Sequence, residues 1–215
     1  LAPDSVRILV EELYRSNAGM VGPKFVEWEE IRRLQAVGFD CDWFGELDSD
    51  VEPHELDQEQ HDAVRDVFVL PSACFLIRAD LFRELGGFEP TIEFFGEDLD
   101  LCWRAHKSGA RVVVVPAATV RHQAAIMPRL ASRHRDSVAL ARQAERHRIT
   151  TVASLTGARR LPIVLPLLVL LSLFEAIGAL VRGRWQRAIA VLGGLFSLVT
   201  NIGNIARRRS RVRLL

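Results

Sequence analysis

The sequence predicts an α/β domain with a mixed sheet, continued by a basic helical segment and by one or two helices long enough to cross a membrane. Three observations carry this. A β-branched run from Arg111 to Pro116 is bounded by Gly109 and a proline, a helix-patterned stretch opens on Glu97-Asp98-Leu-Asp100, and Leu161 to Val181 is apolar except for Glu175. The charge divides in the same way. A net charge of +1 over 215 residues conceals 12 Lys/Arg against 24 Asp/Glu in residues 1–122, and 16 against 3 in residues 123–215. The two parts therefore face different surroundings.

Among the elements in chain order, Asp40-x-Asp42 and Asp48-x-Asp50 lie in polar sequence and read as solvated loop. Val67 to Leu70 reads as a strand. The preceding His61-Asp62-Ala-Val-Arg65-Asp66 would bring polar groups to the ligand edge of the sheet or form a structural ion-pair network. Ala79 to Leu85 reads as a helix stopped by Gly86-Gly87. The next helix begins after Gly96, with Leu99, Leu101, Cys102, Trp103 and Ala105 as its apolar side and Ser108-Gly109 as its end.

Glu97 and Asp98 thus fall on a helix N-terminus, where free N–H groups and the helix dipole favour ionised carboxylates. Such an aspartate serves either as a plain helix cap or as a base. Trp103 and Arg104, one turn on, are candidates for contact with a substrate, with a core role for Trp103 as the alternative. His122, just past the β-branched run, reads either as an ordinary histidine or as a metal ligand.

Taken together, Gly96-Glu-Asp-x-Asp-Leu-x-Trp-Arg104, then Gly109-x-Arg-Val112 and Pro116-x-x-x-Val-x-His122, resembles the C-terminal half of the catalytic domain of family 2 glycosyltransferases, inverting enzymes of the GT-A fold. The resemblance extends through Asn17-Ala-Gly-Met-Val-Gly-Pro-Lys24, Glu55-Leu-Asp-Gln-Glu-Gln-His-Asp62 and Leu81-Phe-Arg-Glu-Leu-Gly-Gly-Phe88. It is strongest with large membrane-attached actinobacterial members and covers about residues 1–150.

The resemblance implies a nucleotide-sugar donor, a glycan or lipid-linked acceptor and a divalent cation, Mg2+ or Mn2+. It makes Asp98 the base, Glu97 its neighbour orienting the acceptor, and His122 a metal ligand. It sets His61, Asp62, Arg65 and Asp66 near acceptor and diphosphate, with Trp103 and Arg104 beside them. The family's donor-binding half with its Asp-x-Asp motif is expected upstream of Leu1, so the chain reads as a fragment, inactive or nearly so by itself. A non-catalytic membrane scaffold built on such a remnant is the alternative.

The expected organisation is a domain over residues 1–127, a basic juxtamembrane helix over 128–160, a hydrophobic hairpin over 161–206 and a basic tail over 207–215. In the second part, Arg129, Arg133, Arg135, Arg142, Arg146 and Arg148 alternate with Leu130, Val138, Leu140 and Ile149, which suits lipid headgroups or a helix packed on the domain. Arginines also flank the apolar runs at positions 159–160, 182–187 and 207–213. Their distribution leaves the topology open, with the catalytic domain expected on the cytoplasmic face of the cell membrane.

Without aromatic residues interleaved among the arginines, nucleic acid is not expected as a partner. Three widely spaced cysteines, Cys41, Cys74 and Cys102, support neither a disulfide framework nor a zinc site.

Overall fold

The computed structural model describes residues 1–123 and 134–213, and the backbone but not the side chains of 134–137. It divides into two compact units. The first holds the sheet, and the second holds the helices from His134 onward together with Trp43–Glu46 and Pro90–Gly96.

In the first unit, helix α1 (Ser5–Arg15) precedes strand β1 (Met20–Glu27), which is followed by β2 (Leu34–Ala36), β3 (Asp40–Cys41), β4 (Leu47–Asp48), β5 (Arg65–Asp66), β6 (Leu76–Ile77), helices α2 (Ala79–Glu84) and α3 (Glu97–Lys107), and β7 (Val112–His122). The main sheet runs β2-β1-β7-β5, with β6 also on β1. Only the β1/β7 pair is parallel. This is a mixed α/β sheet, as the sequence predicts.

Every residue of β1 but the last is buried, as befits a strand covered on both faces. Leu9 of α1 packs with Val21, Val113, Val115 and Ala118, and on the opposite side Leu99, Leu101, Cys102 and Ala105 of α3 are buried. These contacts fix α3 on the sheet, which in turn fixes the position of its first turn.

Three expectations shift. β7 does not stop at Pro116 but continues to His122, because the ladder skips between Pro23 and Lys24, pairing Val115 with Pro23 and Thr119 with Lys24. Neither proline can donate a ladder hydrogen bond, and the bulge accommodates both. The strand expected at Val67–Leu70 is displaced to Arg65–Asp66. Beyond it Val67 N donates to Val112 O, and Val69 makes a single bridge to Phe39. The two acidic Asp-x-Asp stretches are not plain loop either, since Asp40 pairs with Asp48 in a two-stranded ladder of β3 and β4.

The second unit contains α4 (His134–Leu155), α5 (Leu161–Val181), α6 (Trp185–Thr200) and α7 (Ile202–Val212). Trp43–Glu46 and Pro90–Gly96 belong here rather than with residues 1–127 because hydrogen bonds hold them. Arg148 donates to Phe44 O at 2.6 Å, and His147 Nδ1 donates to the carbonyls of Phe94 and Phe95 at 2.9 and 2.7 Å.

Helix α4 is not laid out as a surface helix along its described length. Ile149, Val152 and Leu155 are buried, as are Glu145 and His147. Arg142 and Arg146 are exposed, whereas Arg148 is engaged with Glu145 and with Glu46 at 3.2 Å. Arg129, Leu130 and Arg133 lie outside the described residues, as does the side chain of Arg135.

Helix α5 buries one seam, Val164, Leu168, Ser172, Ala176 and Ala179. Its Ala176 and Ala179 pack with Ala188 and Val191 of α6. Ile163, Leu170, Leu171, Phe174, Ile177 and Leu180 are exposed. Among the described helices, α5 alone is long and apolar enough to cross a membrane; α6 and α7 reach that measure only together, bent by 71° at Asn201.

Candidate functional site

The chain enters α3 through Phe95 and Gly96, both with positive φ, 61° and 91°. Glycine tolerates that backbone; a phenylalanine there stores strain, which marks a turn dictated by its surroundings. From this turn Glu97 and Asp98 form the first residues of the helix.

Asp98 accepts a hydrogen bond from the N–H of Leu99 at 2.8 Å. The helix-end donors favour the ionised form of Asp98, as the sequence leads one to expect, but they are not the largest influence on it. Burial outweighs the backbone donors and, with Glu97 adding repulsion, pushes its pKa up to about 6. A carboxyl near 6 is mostly ionised at neutral pH and is a better proton acceptor than an exposed aspartate.

Glu97 is held from one side. Ser72 Oγ donates to Glu97 Oε1 at 2.7 Å, while Oε2 is buried with no hydrogen-bond partner among the described residues. The loop carrying Ser72 runs alongside α3, since Leu70 N reaches Cys102 Sγ and Phe68 meets both Trp103 and His106. Ser72 escapes sequence reading. It lies 25 residues from Glu97, and only the Pro71 that ends the extended segment hints at a turn there.

Other sequence-predicted residues lie elsewhere. His122 ends β7 opposite Glu27 of β1, stacks edge-on against Phe25 and bonds through Nδ1 to Gln35 Oε1 at 2.8 Å. With Gln35 Oε1 accepting, Nδ1 is the donor in this bond, which orients the ring. Gln35, 87 residues away, is a second partner that sequence reading missed.

His61 pairs with Glu55 at 2.9 Å, and hydrogen bonds from Gln60, the Glu52 backbone and His61 draw the Glu55 carboxyl down to about 2. Asp62 accepts from Lys24 Nζ at 2.6 Å, and the same ammonium meets Asp57 at 2.7 Å. Arg65 donates to Val37 O and Asp50. Asp66 takes a two-pronged bond from Arg111 at the start of β7, so it sits at the other end of that strand from His122.

Trp103 contacts Phe68 edge-on at 5.5 Å. Arg104 is turned inward, 6% exposed, with donors on Asp100 and on the carbonyls of Leu85 and Gly87, so that it ties α3 to the turn after α2. Among the described residues, no three His, Cys, Asp or Glu side chains converge as a cation site requires. These residues do not by themselves fit a divalent cation.

A family model described as "Glycosyltransferase like family 2" matches residues 1–149. Two curated relatives, each a "Pre-mycofactocin glycosyltransferase" of Mycobacterium tuberculosis, from strains CDC 1551 / Oshkosh and ATCC 25618 / H37Rv, are 34% identical to this chain over 107 residues. That match covers 48% of this chain and 20% of each relative, so the chain spans about a fifth of the length of the curated relatives it matches.

Proposed function

Because the chain belongs to glycosyltransferase family 2, we propose that it contributes the acceptor side of an inverting sugar transfer, with Asp98 as the base that deprotonates the acceptor hydroxyl. The observation that supports this is the pairing at the start of α3 of a carboxyl with a raised pKa and a second carboxylate whose buried oxygen has no partner among the described residues. A sugar hydroxyl is a poor nucleophile near neutral pH and needs such a base within hydrogen-bond reach.

In the proposed step Glu97 Oε2 accepts a hydrogen bond from the acceptor and orients it, and Asp98 takes the proton of the attacking hydroxyl. The new bond forms between that oxygen and the anomeric carbon on the face opposite the nucleoside diphosphate. The bond from the anomeric carbon to the diphosphate oxygen breaks, and the diphosphate departs with its electron pair. A Mg2+ or Mn2+ ion, were one bound, would supply charge neutralisation to the diphosphate, and His122 would be one of its ligands.

The proposed donor is a nucleotide-activated sugar and the proposed acceptor an envelope polysaccharide or glycolipid. The exposed apolar face of α5 supports attachment to the cell membrane, and the cytoplasmic side is the proposed place of the transferase domain. Asp98→Asn in the full-length protein tests the reading. Transfer to the acceptor should fall at least about a hundredfold, within the usual contribution of a general base, while circular dichroism and thermal unfolding show a folded protein. Unchanged transfer would remove Asp98 from the role.

A further inference from the structure

On α5, Ile163, Leu167, Leu170, Phe174, Ile177 and Val181 recur at alternating spacings of four and three, and all are exposed, by 42 to 83%. At the 3.6-residue turn of an α-helix they form one apolar stripe along its whole length, on the opposite side from the buried seam that begins at Val164 and ends at Ala179. Both ends of the stripe are basic. Arg159 and Arg160 precede the helix, with Arg160 over the exposed Trp43 ring at 5.3 Å, and the exposed Arg182, Arg184 and Trp185 follow it. Arginine and tryptophan at the borders of an apolar face match anionic headgroups around acyl chains. A second copy laid along α5, parallel or antiparallel, would set arginines against arginines.

The neighbours of α5 decide how it meets the lipid. Helix α6 packs against both α4 and α5, which make little contact with each other among the described residues. Arg187 near the start of α6 donates to Glu175 of α5 at 2.6 Å and to Glu145 of α4 at 3.4 Å. At the middle of α6, the stems of Arg142 and Glu145 rest on Gly193 and Gly194, so near that a methyl group there would stand 2.9 Å from Arg142 Cγ or 2.8 Å from Glu145 Cγ. The two glycines thus fix charged residues of α4 at mid-length of α6.

With α5 along the membrane normal, α6, held to it through Ala176, Ala179, Ala188 and Val191, would re-enter the hydrocarbon from the far side. Its 16 residues reach about 24 Å, short of a core of roughly 30 Å. Its midpoint would bring Glu145 and the exposed Arg142 toward the bilayer centre, where charged groups are costly. With α5 parallel to the surface and its stripe facing the lipid, α6 lies behind the buried seam and the charges of α4 remain in water.

We propose that α5 lies in the plane of the membrane, its stripe sunk among the acyl chains of one leaflet and its end arginines on anionic headgroups, and does not cross the bilayer. This rests on the membrane attachment proposed above and gives that attachment a geometry.

The test is a spin-label depth measurement on the full chain in mixed phosphatidylcholine and phosphatidylglycerol vesicles. Labels are attached singly through Ile163→Cys, Leu170→Cys or Ile177→Cys, after Cys41→Ser and Cys74→Ser; Cys102 is buried and stays. Collisions with oxygen and with a water-soluble nickel chelate give the depth, and circular dichroism checks that each variant is folded. The three labels should share one depth, about 5–10 Å into the leaflet. A crossing helix would instead put Leu170→Cys about 10 Å deeper than Ile163→Cys, seven residues along the helix axis. In flotation assays, Arg159→Gln combined with Arg184→Gln should raise the lipid concentration for half-binding about twentyfold.

A common depth with that loss of affinity supports the proposal. A deep Leu170→Cys label between shallower ends, or indifference to the arginine replacements, overturns it and leaves membrane attachment standing. Failure of the wild-type chain to float with the vesicles overturns both. Labels shielded from lipid but broadened by one another would show a second copy covering the stripe, and would also overturn it.

Discussion

Ser72 Oγ and Glu97 Oε1 stand 2.7 Å apart in a hydrogen bond that satisfies half of a carboxylate and leaves Glu97 Oε2 buried without a partner among the described residues. A buried acceptor left open costs about 1–3 kcal/mol, and a substrate hydroxyl would recover it on binding. Ser72→Ala should therefore reduce kcat/KM for the acceptor about tenfold, mainly through KM, and lower stability by about 1 kcal/mol. Steady-state kinetics at varied acceptor concentration check this. An unchanged KM would separate Glu97 from the acceptor.

The raised pKa of Asp98 predicts a pH profile and a stability effect with opposite consequences for one variant. Burial shifts the folded-state pKa above the ordinary carboxylate value, to about 6. Protonation thus favours the folded state, and that stabilisation is fully present below the unfolded value of about 4 and is lost as pH rises through 6. Transfer should rise about tenfold per pH unit up to about 6 and then level off. At pH 7.5, Asp98→Asn should be inactive yet more stable than wild type by about 2 kcal/mol. A destabilised Asn variant in thermal melts would reject burial as the cause.

The sequence made α3 legible because its apolar positions, glycine stops and acidic first turn agree, and Leu99, Leu101, Cys102 and Ala105 are indeed buried. β1 was hidden by Gly22 and Pro23, which break the strand pattern locally but meet the β7 bulge in space. The place of the candidate carboxylates on the first turn was legible from the same motif, while their supports were not. Ser72 and Gln35 lie 25 and 87 residues from the side chains they hold, and polar residues in loops carry no periodicity that announces a distant partner. The pKa of Asp98 escaped for a related reason. The helix end is a local feature, whereas desolvation depends on everything packed around it.

Arg104 illustrates how a motif residue near a site can serve the fold. With its guanidinium 8% exposed, it bonds to Asp100 and to the carbonyls of Leu85 and Gly87, and its removal would take that donor from a buried carboxylate and two carbonyls. Arg104→Ala should lose about 3–5 kcal/mol of stability, and Arg104→Lys should recover only part of it, since an ammonium cannot span three acceptors in one plane. Urea midpoints read this directly. Full stability with a raised KM for donor or acceptor would instead return Arg104 to substrate contact.

Lys24 holds the segment that carries His61. Its ammonium is 7% exposed and meets Asp57 at 2.7 Å and Asp62 at 2.6 Å. Burial pulls its pKa down, but the hydrogen bonds to those two carboxylates outweigh it and hold the group above its usual value. The group is therefore charged throughout the neutral range, and its contribution fades only as pH rises beyond the ordinary lysine value. Lys24→Met keeps the apolar stem in β1 while removing the charge, leaving two aspartates to repel each other. The expected result is a loss of about 2 kcal/mol, moderated by the exposure of Asp62, and new proteolytic cleavage between Glu52 and Asp62. If this segment borders the acceptor, KM should rise while kcat holds; cleavage without any kinetic change would make the Lys24 cluster a purely structural clamp.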